Sequence, residues 1–294
     1  MLLAIMSARS ESGRFGIRDA ILVLVAFAVM GTTLGLHLSF GNEAVTKISS
    51  DSMHDHFDFE TFWYSARALL EGRNIYFDTG HPAVSSNAPL LTILISPFGL
   101  LEPLAAYRVF VPISLLMTIG YLAWTADELR LRAGWAAIGV GMLLLSTPLL
   151  TTLVLGQIYL LLALGLTAAW IADRRGQPVA SGAVLGIVAT IKPSLAPLVL
   201  LPLFRRRWDA LAAFAASVAA ALLVGILVAG PTATLDWLRF VANRGIDEVW
   251  TNASLSAHAS RLFTENELGQ HVAVLPWLVP LTLAVAAGLV ILTA

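Results

Sequence analysis

The sequence predicts an all-α polytopic membrane protein, and its composition and its apolar runs are the observations that predict this fold class. Of its 294 residues, 57% are hydrophobic and 13% are charged, and the mean hydropathy is +0.79. A soluble domain carries about 25% charged residues, so this chain has too little polar surface to coat a water-soluble globule. Several apolar runs have close to the roughly 20 residues that a membrane helix needs. A soluble enzyme and a protein with a single membrane anchor are therefore excluded.

Cysteine content and net charge exclude further classes. The chain has no cysteine, so disulfides, thiolate nucleophiles and cysteine-based metal centres are excluded. The formal net charge is −1. Binding a nucleic-acid backbone needs a surplus of Lys and Arg, so we expect no nucleic-acid partner. The sequence has no Gly-rich phosphate loop, so we expect no nucleotide cofactor, and it does not imply a metal.

The first apolar run, Ala20–Leu38, carries no charge and follows a polar segment with Arg9, Arg14 and Arg18. We predict that it is the first membrane span. A cleaved signal peptide is the alternative interpretation. Such a peptide typically has a hydrophobic region of about 7–15 residues followed by a cleavage site with small residues, and this run is longer and has no clear site after it.

Apolar character returns after residue 87. The run Ala88–Leu101 is interrupted by Pro97 and is too short to cross alone, so we predict an interfacial or re-entrant segment. Three longer runs are predicted spans, the last two forming a tight helical hairpin: Pro103–Ala126, Ala133–Val154 and Leu155–Ala172.

Two short runs, Val179–Ile191 and Ser194–Phe204, flank the dipeptide Lys192-Pro193. As helices they would measure about 20 and 17 Å, against a hydrocarbon core of about 30 Å. We predict a pinched hairpin that enters and leaves on one side, with Lys192 at its tip. Two ordinary spans complete a single transmembrane domain, residues 1–294, of about eight membrane segments: Ala210–Gly230 and Val272–Ala294.

The positive charges predict the orientation. With the hairpin, ten cations share one face, which the positive-inside rule assigns to the cytoplasm of a plasma (inner) membrane protein: Arg9, Arg14, Arg18, Arg130, Arg132, Arg174, Arg175, Arg205, Arg206 and Arg207. The N-terminus is then cytoplasmic, and two long polar loops, 41–87 and 231–271, are extracytoplasmic. These loops hold six Lys or Arg and twelve Asp or Glu. Any active site is expected there, because the cytoplasmic connections are short.

The first loop carries a candidate catalytic carboxylate, Asp58. Apolar residues follow it at the spacing of an amphipathic helix lying on the membrane, which we predict over about 58–71: Phe59, Phe62, Trp63, Ala66, Leu69 and Leu70. Asp58 as the N-cap of this helix is the structural interpretation. A metal site built from His54, Asp55, His56 and Asp58 is a further alternative, but loop ligands at these spacings have no fixed facing.

Lys192 is the second candidate, because a cation flanked by apolar half-helices is costly unless it is paired or hydrated. It fits either the phosphate of a lipid-linked substrate or a snorkelling interfacial lysine. Arg108, five residues into a span, has the same two interpretations. Gly156-Gln157 fits a simple turn, and His258 fits a solvated surface histidine.

A set of short elements in a fixed order resembles glycosyltransferase family 87 from Asp58 to Leu262. The elements are Asp58-Phe59, Tyr64, Ala66, Leu70-Glu71-Gly72, Ile75-Tyr76, Asn87-Ala88-Pro89-Leu90, Pro97, Gly156-Gln157, Leu161, Arg174-Arg175-Gly176, Gly182, Ile191-Lys192-Pro193, Asn252, Ser254-Leu255 and Arg261-Leu262. No single element is specific, and their order and placement carry the resemblance. The family comprises polyprenyl-phosphate-sugar-dependent mannosyltransferases and their relatives, which are C-type membrane glycosyltransferases.

The resemblance implies a donor of polyprenyl-phosphate-linked sugar, a lipid or glycan acceptor and contact with membrane lipids. It implies that Asp58 is the catalytic base and that Lys192, with Arg108, binds the donor phosphate. The substrate or acceptor side would comprise Tyr64, Asn87, Gln157, Asn252 and His258. The segment Asn87-Ala88-Pro89 departs from the aromatic-Pro-Pro or Asn-Pro-Pro run of many members. Members also usually continue for several more spans, so we expect a truncated C-terminus.

The expected function is transfer of a hexose, mannose first, to the acceptor on the extracytoplasmic face in one inverting displacement. One carboxylate suffices, because the phosphate leaves as a stabilised anion, whereas a glycosidase needs a second carboxyl group. Two alternatives remain. A secondary transporter also has broken helices, but it usually has paired interruptions, and this sequence has one, at Lys192. A non-catalytic membrane scaffold would not need Asp58.

Overall fold

The computed structural model describes residues 17–39, 43–144, 146–243, 255–266 and 271–293, and all regular structure in these ranges is helical. The α-helices are α1 Ile17–Ser39, α2 Glu43–Ile48, α3 Phe57–Leu70, α4 Pro89–Ile95, α5 Pro103–Glu128, α6 Ala133–Leu144, α7 Thr147–Leu155, α8 Tyr159–Arg174, α9 Pro178–Ile191, α10 Leu200–Phe204, α11 Trp208–Ala229, α12 Pro231–Asn243, α13 Leu255–Phe263 and α14 Leu278–Thr293. The 3₁₀-helices are Met53–His56, Ser96–Leu100 and Pro193–Val199. The all-α fold class is confirmed for these ranges.

Two helices of the described residues, α5 and α11, are long and apolar enough to cross a membrane. The pair α6 and α7 gives a third candidate if the two helices count as one span. These helices support a membrane protein. The number of about eight segments and the orientation stay predictions.

Two predicted spans differ from the structure. Ala133–Val154 is not one straight helix, because α6 and α7 are bent by 53° relative to each other. The Oγ of Ser146 caps α7 by accepting a hydrogen bond from the Leu149 N–H, and Pro148 occupies the first turn, where its missing donor is tolerated. The run that was predicted to begin at Leu155 becomes helical only at Tyr159, so α8 has 16 residues.

The break at Lys192 is confirmed. Helix α9 ends at Ile191, and Lys192 has extended backbone dihedral angles, φ −126° and ψ 93°. Helices α9 and α11 pack in parallel, because Gly182 meets the backbone of Ala210 and, one turn further along both helices, Gly186 meets Phe214. The chain between the two helices therefore returns to the side where it entered.

An ion pair joins the residues that precede the two helices of this hairpin. Asp173, at the end of α8, pairs with Arg207, which directly precedes α11. Glu128, the last residue of α5, accepts hydrogen bonds from Arg174 Nε at 3.1 Å and Arg175 Nε at 3.0 Å. The ends of α5 and α8 and the beginnings of α9 and α11 thus lie together, and we call this region the basic end.

The chain divides into two compact units. The first comprises Met1–Leu203 and Arg207–Trp237, and the second comprises Phe204–Arg206 and Leu238–Ala294. The second unit includes α13 and α14, which contact each other. The polar loop predicted over 231–271 therefore contains helices, and the last predicted span is helical from Leu278 onward.

The end of the first unit opposite the basic end is built around α3, whose range Phe57–Leu70 is close to that of the helix predicted at about 58–71. One hydrophobic cluster packs α3 against α4, α8 and α9: Phe62, Ala66, Leu91, Ile95, Ile158, Leu162, Val188 and Ile191. The Trp63 indole N–H also donates to the Leu101 carbonyl at 3.1 Å. The predicted re-entrant segment is a short helix broken before Pro97, and it lies beside α3. We call this region the site end.

Candidate active site

Asp58 lies in the first turn of α3. The 3₁₀-helix Met53–His56 runs directly into α3, which begins at Phe57, so the interpretation of Asp58 as the N-cap is wrong. His56 holds the cap position without a capping side-chain bond. The half-buried carboxylate of Asp58 instead accepts a hydrogen bond from the Gln157 amide, Nε2 to Oδ2, at 2.7 Å. Two predicted site residues, 99 positions apart, are therefore in direct contact.

The turn between α7 and α8 brings Gln157 to Asp58. Gly156 has φ +67°, a left-handed conformation that glycine adopts without strain. The Gly156 N–H donates to the Leu153 carbonyl and the Gln157 N–H to the Thr152 carbonyl, the Schellman pattern of a helix end. A Cβ at Gly156 would overlap Phe59 of α3. The turn therefore needs glycine both for its backbone conformation and for its packing on α3.

A buried histidine fixes the helix end that precedes this turn. The His56 ring is fully buried, with Nδ1 2.7 Å from the Val154 carbonyl and Nε2 3.3 Å from the Ser50 carbonyl. It stacks on Tyr107 with ring centroids 3.5 Å apart. The Tyr107 hydroxyl donates to the Leu153 carbonyl at 2.9 Å. The last carbonyls of α7 are thus held from two sides, which keeps the following turn in place.

Lys192 is held by a tyrosine that the sequence interpretation missed. Its Nζ lies 3.4 Å from the Tyr159 hydroxyl and 4.9 Å from the centroid of that ring. Within the described ranges, Lys192 forms no ion pair with a carboxylate. Tyr159 is two residues after Gln157, so a single turn carries the partners of Asp58 and Lys192. An aromatic hydroxyl directly after the Gly-Gln turn was the available signal.

Three other predicted site residues have partners of their own. Arg108 forms an exposed ion pair with Asp51. Tyr64 stacks on His81, with ring centroids 5.1 Å apart. Asn87 is buried, and within the described part of the chain its Oδ1 has no hydrogen-bond partner. The Asn87 carbonyl accepts a bond from the Tyr76 hydroxyl at 2.9 Å.

The remaining two predicted site residues are His258 and Asn252. His258 is an exposed residue of α13 in the second unit, where its Nδ1 lies 2.5 Å from Arg261 Nη2. Asn252 lies outside the described residues.

The four residues of the alternative metal site contact other groups in the structure. His56 faces carbonyls and Asp58 binds Gln157, as described above. Asp55 accepts a 2.6 Å bond from the Ser50 hydroxyl, which lowers the pKa of its carboxyl group. His54 faces Glu60, with Nδ1 3.8 Å from Oε2. Among the residues that the structure describes, no group of three or more His, Asp or Glu is arranged to hold a metal ion.

The model of glycosyltransferase family 87 matches residues 87–294, which is more than half of the chain. The chain belongs to glycosyltransferase family 87. Membership of this family, together with the apolar helices, supports a membrane glycosyltransferase. Gln157 and Lys192 lie inside the matched range, whereas Asp58 and Tyr64 precede it. The resemblance noted in the sequence is confirmed at the level of the family.

The name of one curated relative describes a glycosyltransferase activity. The chain is 28% identical over 166 residues to an alpha-(1->3)-arabinofuranosyltransferase of Corynebacterium glutamicum. The alignment covers 52% of this chain and 38% of that relative, so the chain spans well under two thirds of the relative's length. No solved structure matches the chain.

Proposed function

We propose that this family 87 protein transfers a sugar from a polyprenyl-phosphate donor to a hydroxyl group of a lipid or glycan acceptor on the extracytoplasmic face of the plasma membrane. The observation behind the proposal is the hydrogen bond from the Gln157 amide to the Asp58 carboxylate, at 2.7 Å. The turn that carries Gln157 continues to Tyr159, whose hydroxyl lies 3.4 Å from Lys192 Nζ. A carboxylate and a cation beside one turn match a reaction that removes a proton and releases a phosphate.

In the proposed reaction, Asp58 accepts the proton of the acceptor hydroxyl as its oxygen forms a bond to the anomeric carbon. The bond between that carbon and the phosphate oxygen breaks, and its electron pair leaves with polyprenyl phosphate. Lys192 stabilises the negative charge on the departing phosphate. Arg108 is a second candidate phosphate ligand. To bind the donor phosphate it would have to break its ion pair with Asp51. A single displacement of this kind inverts the anomeric configuration.

Mannose is the first proposed donor sugar. Arabinofuranose is the second, because the relative from Corynebacterium glutamicum is named an arabinofuranosyltransferase. From the sequence alone, the predicted residues of the substrate or acceptor side are Tyr64, Asn87, Gln157, Asn252 and His258.

The test of Asp58 compares the wild type with Asp58→Asn in lipid nanodiscs, with polyprenyl-phosphate mannose and polyprenyl-phosphate arabinofuranose as donors. Asparagine preserves the shape and the bond to Gln157 but cannot take the proton. A general base contributes about 10²–10⁴-fold, so the rate at saturating substrates should fall by that factor. Asp78→Asn, an exposed carboxylate of the same loop, is the matched control and should transfer at the wild-type rate. Wild-type transfer by Asp58→Asn would remove Asp58 from this role.

The test of Lys192 uses Lys192→Met, which keeps most of the length of the side chain and removes its charge. A hydrogen bond to a charged group is worth about 1.5–3 kcal/mol, so the donor KM should rise about ten- to a hundredfold. Arg73→Met is the control, because Arg73 pairs with Glu71 at 2.5 Å and should leave the donor KM unchanged. An unchanged donor KM in Lys192→Met would favour the snorkelling interpretation.

A further inference from the structure

An open, solvent-facing cavity of about 330 Å³ lies beside the site-end turn, and its lining includes the exposed side chains of Glu43 and His54. Its lining combines carboxylates, an ammonium, an imidazole, a hydroxyl group and two aliphatic side chains: Glu43, Lys47, His54, Asp55, Thr151, Val154 and Leu155. The volume falls within the range of about 300–1,000 Å³ that is typical of small-molecule sites. Cavity walls that are partly polar and partly apolar suit a ligand that has both hydroxyl groups and an apolar ring face.

The charges of the lining exclude a phosphate as the occupant. Lys47 pairs with Glu43 at 2.6 Å and with Asp55 at 3.6 Å, and the hydrogen bond that Lys47 donates to Glu43 raises the pKa of Lys47. The hydrogen bond from Ser50 lowers the pKa of Asp55, so its carboxyl group is ionised at neutral pH. The single ammonium is thus neutralised by two carboxylates, and the lining is net negative. An anion would be repelled, whereas neutral hydroxyl groups can donate hydrogen bonds to the carboxylates.

The cavity is next to the proposed base along two segments. Leu155 lines the cavity and is followed directly by Gly156-Gln157, whose amide binds Asp58. On the other segment, Asp55 lines the cavity three residues before Asp58. The turn 155–159 therefore connects a residue of the cavity, the residue that binds the base and the partner of Lys192. A transferase needs such neighbours, because the base must reach the acceptor hydroxyl while its oxygen attacks the anomeric carbon opposite the departing phosphate.

We propose that this cavity is the acceptor subsite and that it binds a neutral, polyhydroxylated sugar unit. The proposal rests on the proposed function for its role in transfer, and it deepens that function by naming the acceptor class. The Glu43 and Asp55 carboxylates accept hydrogen bonds from the sugar hydroxyls, and Val154 and Leu155 contact its apolar face. The donor phosphate is bound elsewhere, by Lys192.

The kinetic test uses octyl α-mannopyranoside as the acceptor probe. Glu43→Gln and Thr151→Phe, which fills the cavity from an exposed position of α7, should raise the acceptor KM about tenfold and leave the donor KM unchanged. Glu71→Gln is the control, because this carboxylate lies in the same loop but pairs with Arg67 and Arg73 outside the cavity. Thermal unfolding checks that each variant is folded. An unchanged acceptor KM in both cavity variants, or a raised donor KM in either, would overturn the proposal.

A binding test separates this proposal from the proposed function. Methyl α-mannopyranoside and methyl α-arabinofuranoside are added to the Asp58→Asn protein, and binding is measured by saturation-transfer NMR. The expected result is binding of at least one glycoside that is lost when Thr151→Phe is added. If no donor is ever transferred but this binding is seen, the cavity is a sugar site and the proposed reaction is wrong. If neither glycoside binds, or if binding survives Thr151→Phe, the cavity is not the acceptor subsite.

Discussion

Two turns of this protein have the same dipeptide and the same backbone but different surroundings. Gly156-Gln157 follows α7 at the site end, and Gly176-Gln177 follows α8 at the basic end. The glycines have φ +67° and +68°. In both turns the glycine N–H donates three residues back and the glutamine N–H five residues back, from Gln157 to Thr152 and from Gln177 to Ala172.

The surroundings decide what each turn does. A Cβ at Gly176 would meet nothing within 4 Å, whereas one at Gly156 would overlap Phe59. Gln177 is exposed, whereas the amide of Gln157 binds the Asp58 carboxylate. The Gly-Gln pair therefore specifies a helix end. Packing on α3 makes one of the two helix ends part of a candidate active site.

Alanine at the two glycines should separate backbone strain from packing. Both Gly176→Ala and Gly156→Ala force alanine into a left-handed conformation, at a cost of about 1–2 kcal/mol. Gly156→Ala must also displace Phe59, which typically adds about 1–3 kcal/mol. Gly156→Ala should therefore lower the melting temperature more than Gly176→Ala, and only Gly156→Ala should reduce the transfer rate, at least tenfold. Equal losses of stability and activity in the two variants would contradict the close packing on α3.

Leucine at the two glutamines should separate function from stability. Gln157→Leu removes a hydrogen bond to a charged group, worth about 1.5–3 kcal/mol, so the rate at saturating substrates should fall about ten- to a hundredfold. Gln177→Leu should leave that rate unchanged, because Gln177 is exposed. Steady-state kinetics of both variants check this. Equal rates in Gln157→Leu and Gln177→Leu would mean that the bond to Asp58 has no role in transfer.

The surface ion pairs of the two ends should have the smallest effect. At each end one glutamate pairs with two arginines: Glu71 with Arg67 and Arg73, and Glu128 with Arg174 and Arg175. Glu71→Gln should change the melting temperature only slightly at pH 7 and leave transfer unchanged, because exposed pairs contribute little. Glu128→Gln should also leave transfer unchanged, but it should lower the melting temperature more, because the Glu128 side chain is only 12% exposed.

The effect at Glu71 should depend on pH. Hydrogen bonds from Arg73 and then from Arg67 lower the pKa of Glu71 below its ordinary value of 4.5. Its contribution to stability is therefore fully present above pH 4.5 and is lost as the pH falls through the folded-state pKa. Melting curves of wild type and Glu71→Gln should converge in that acidic range. A difference that grows as the pH falls would contradict the ion pair.

Features that depend on neighbouring residues could be predicted from the sequence. The apolar runs around Lys192-Pro193 predicted the break, and the period of the apolar residues predicted α3, because both signals are local. The bend between α6 and α7 also had a local signal in Ser146 and Pro148, a cap followed by a proline, which the length of the apolar run concealed.

Contacts between distant segments could not be predicted in this way. Asp58 meets Gln157 because Gly156 packs on Phe59, and no spacing in the sequence relates these positions. The interpretation of Asp58 as an N-cap was wrong for a local reason, because the 3₁₀-helix Met53–His56 runs directly into α3. The turn at Gly176-Gln177 has the same local pattern, so sequence alone could not show which of the two turns reaches a carboxylate. The role of Tyr159 beside Lys192 depends on the fold of the hairpin.

Gln157 is proposed to act on the transfer rate through Asp58, and a double-mutant cycle tests this most directly. The transfer rate at saturating donor and acceptor is measured for the wild type, Gln157→Leu, Asp58→Asn and the double variant. If Gln157 serves only to position the Asp58 carboxylate, the double variant has the rate of Asp58→Asn, because nothing is left to position. If the two losses multiply in the double variant, the residues act independently and the claim is wrong.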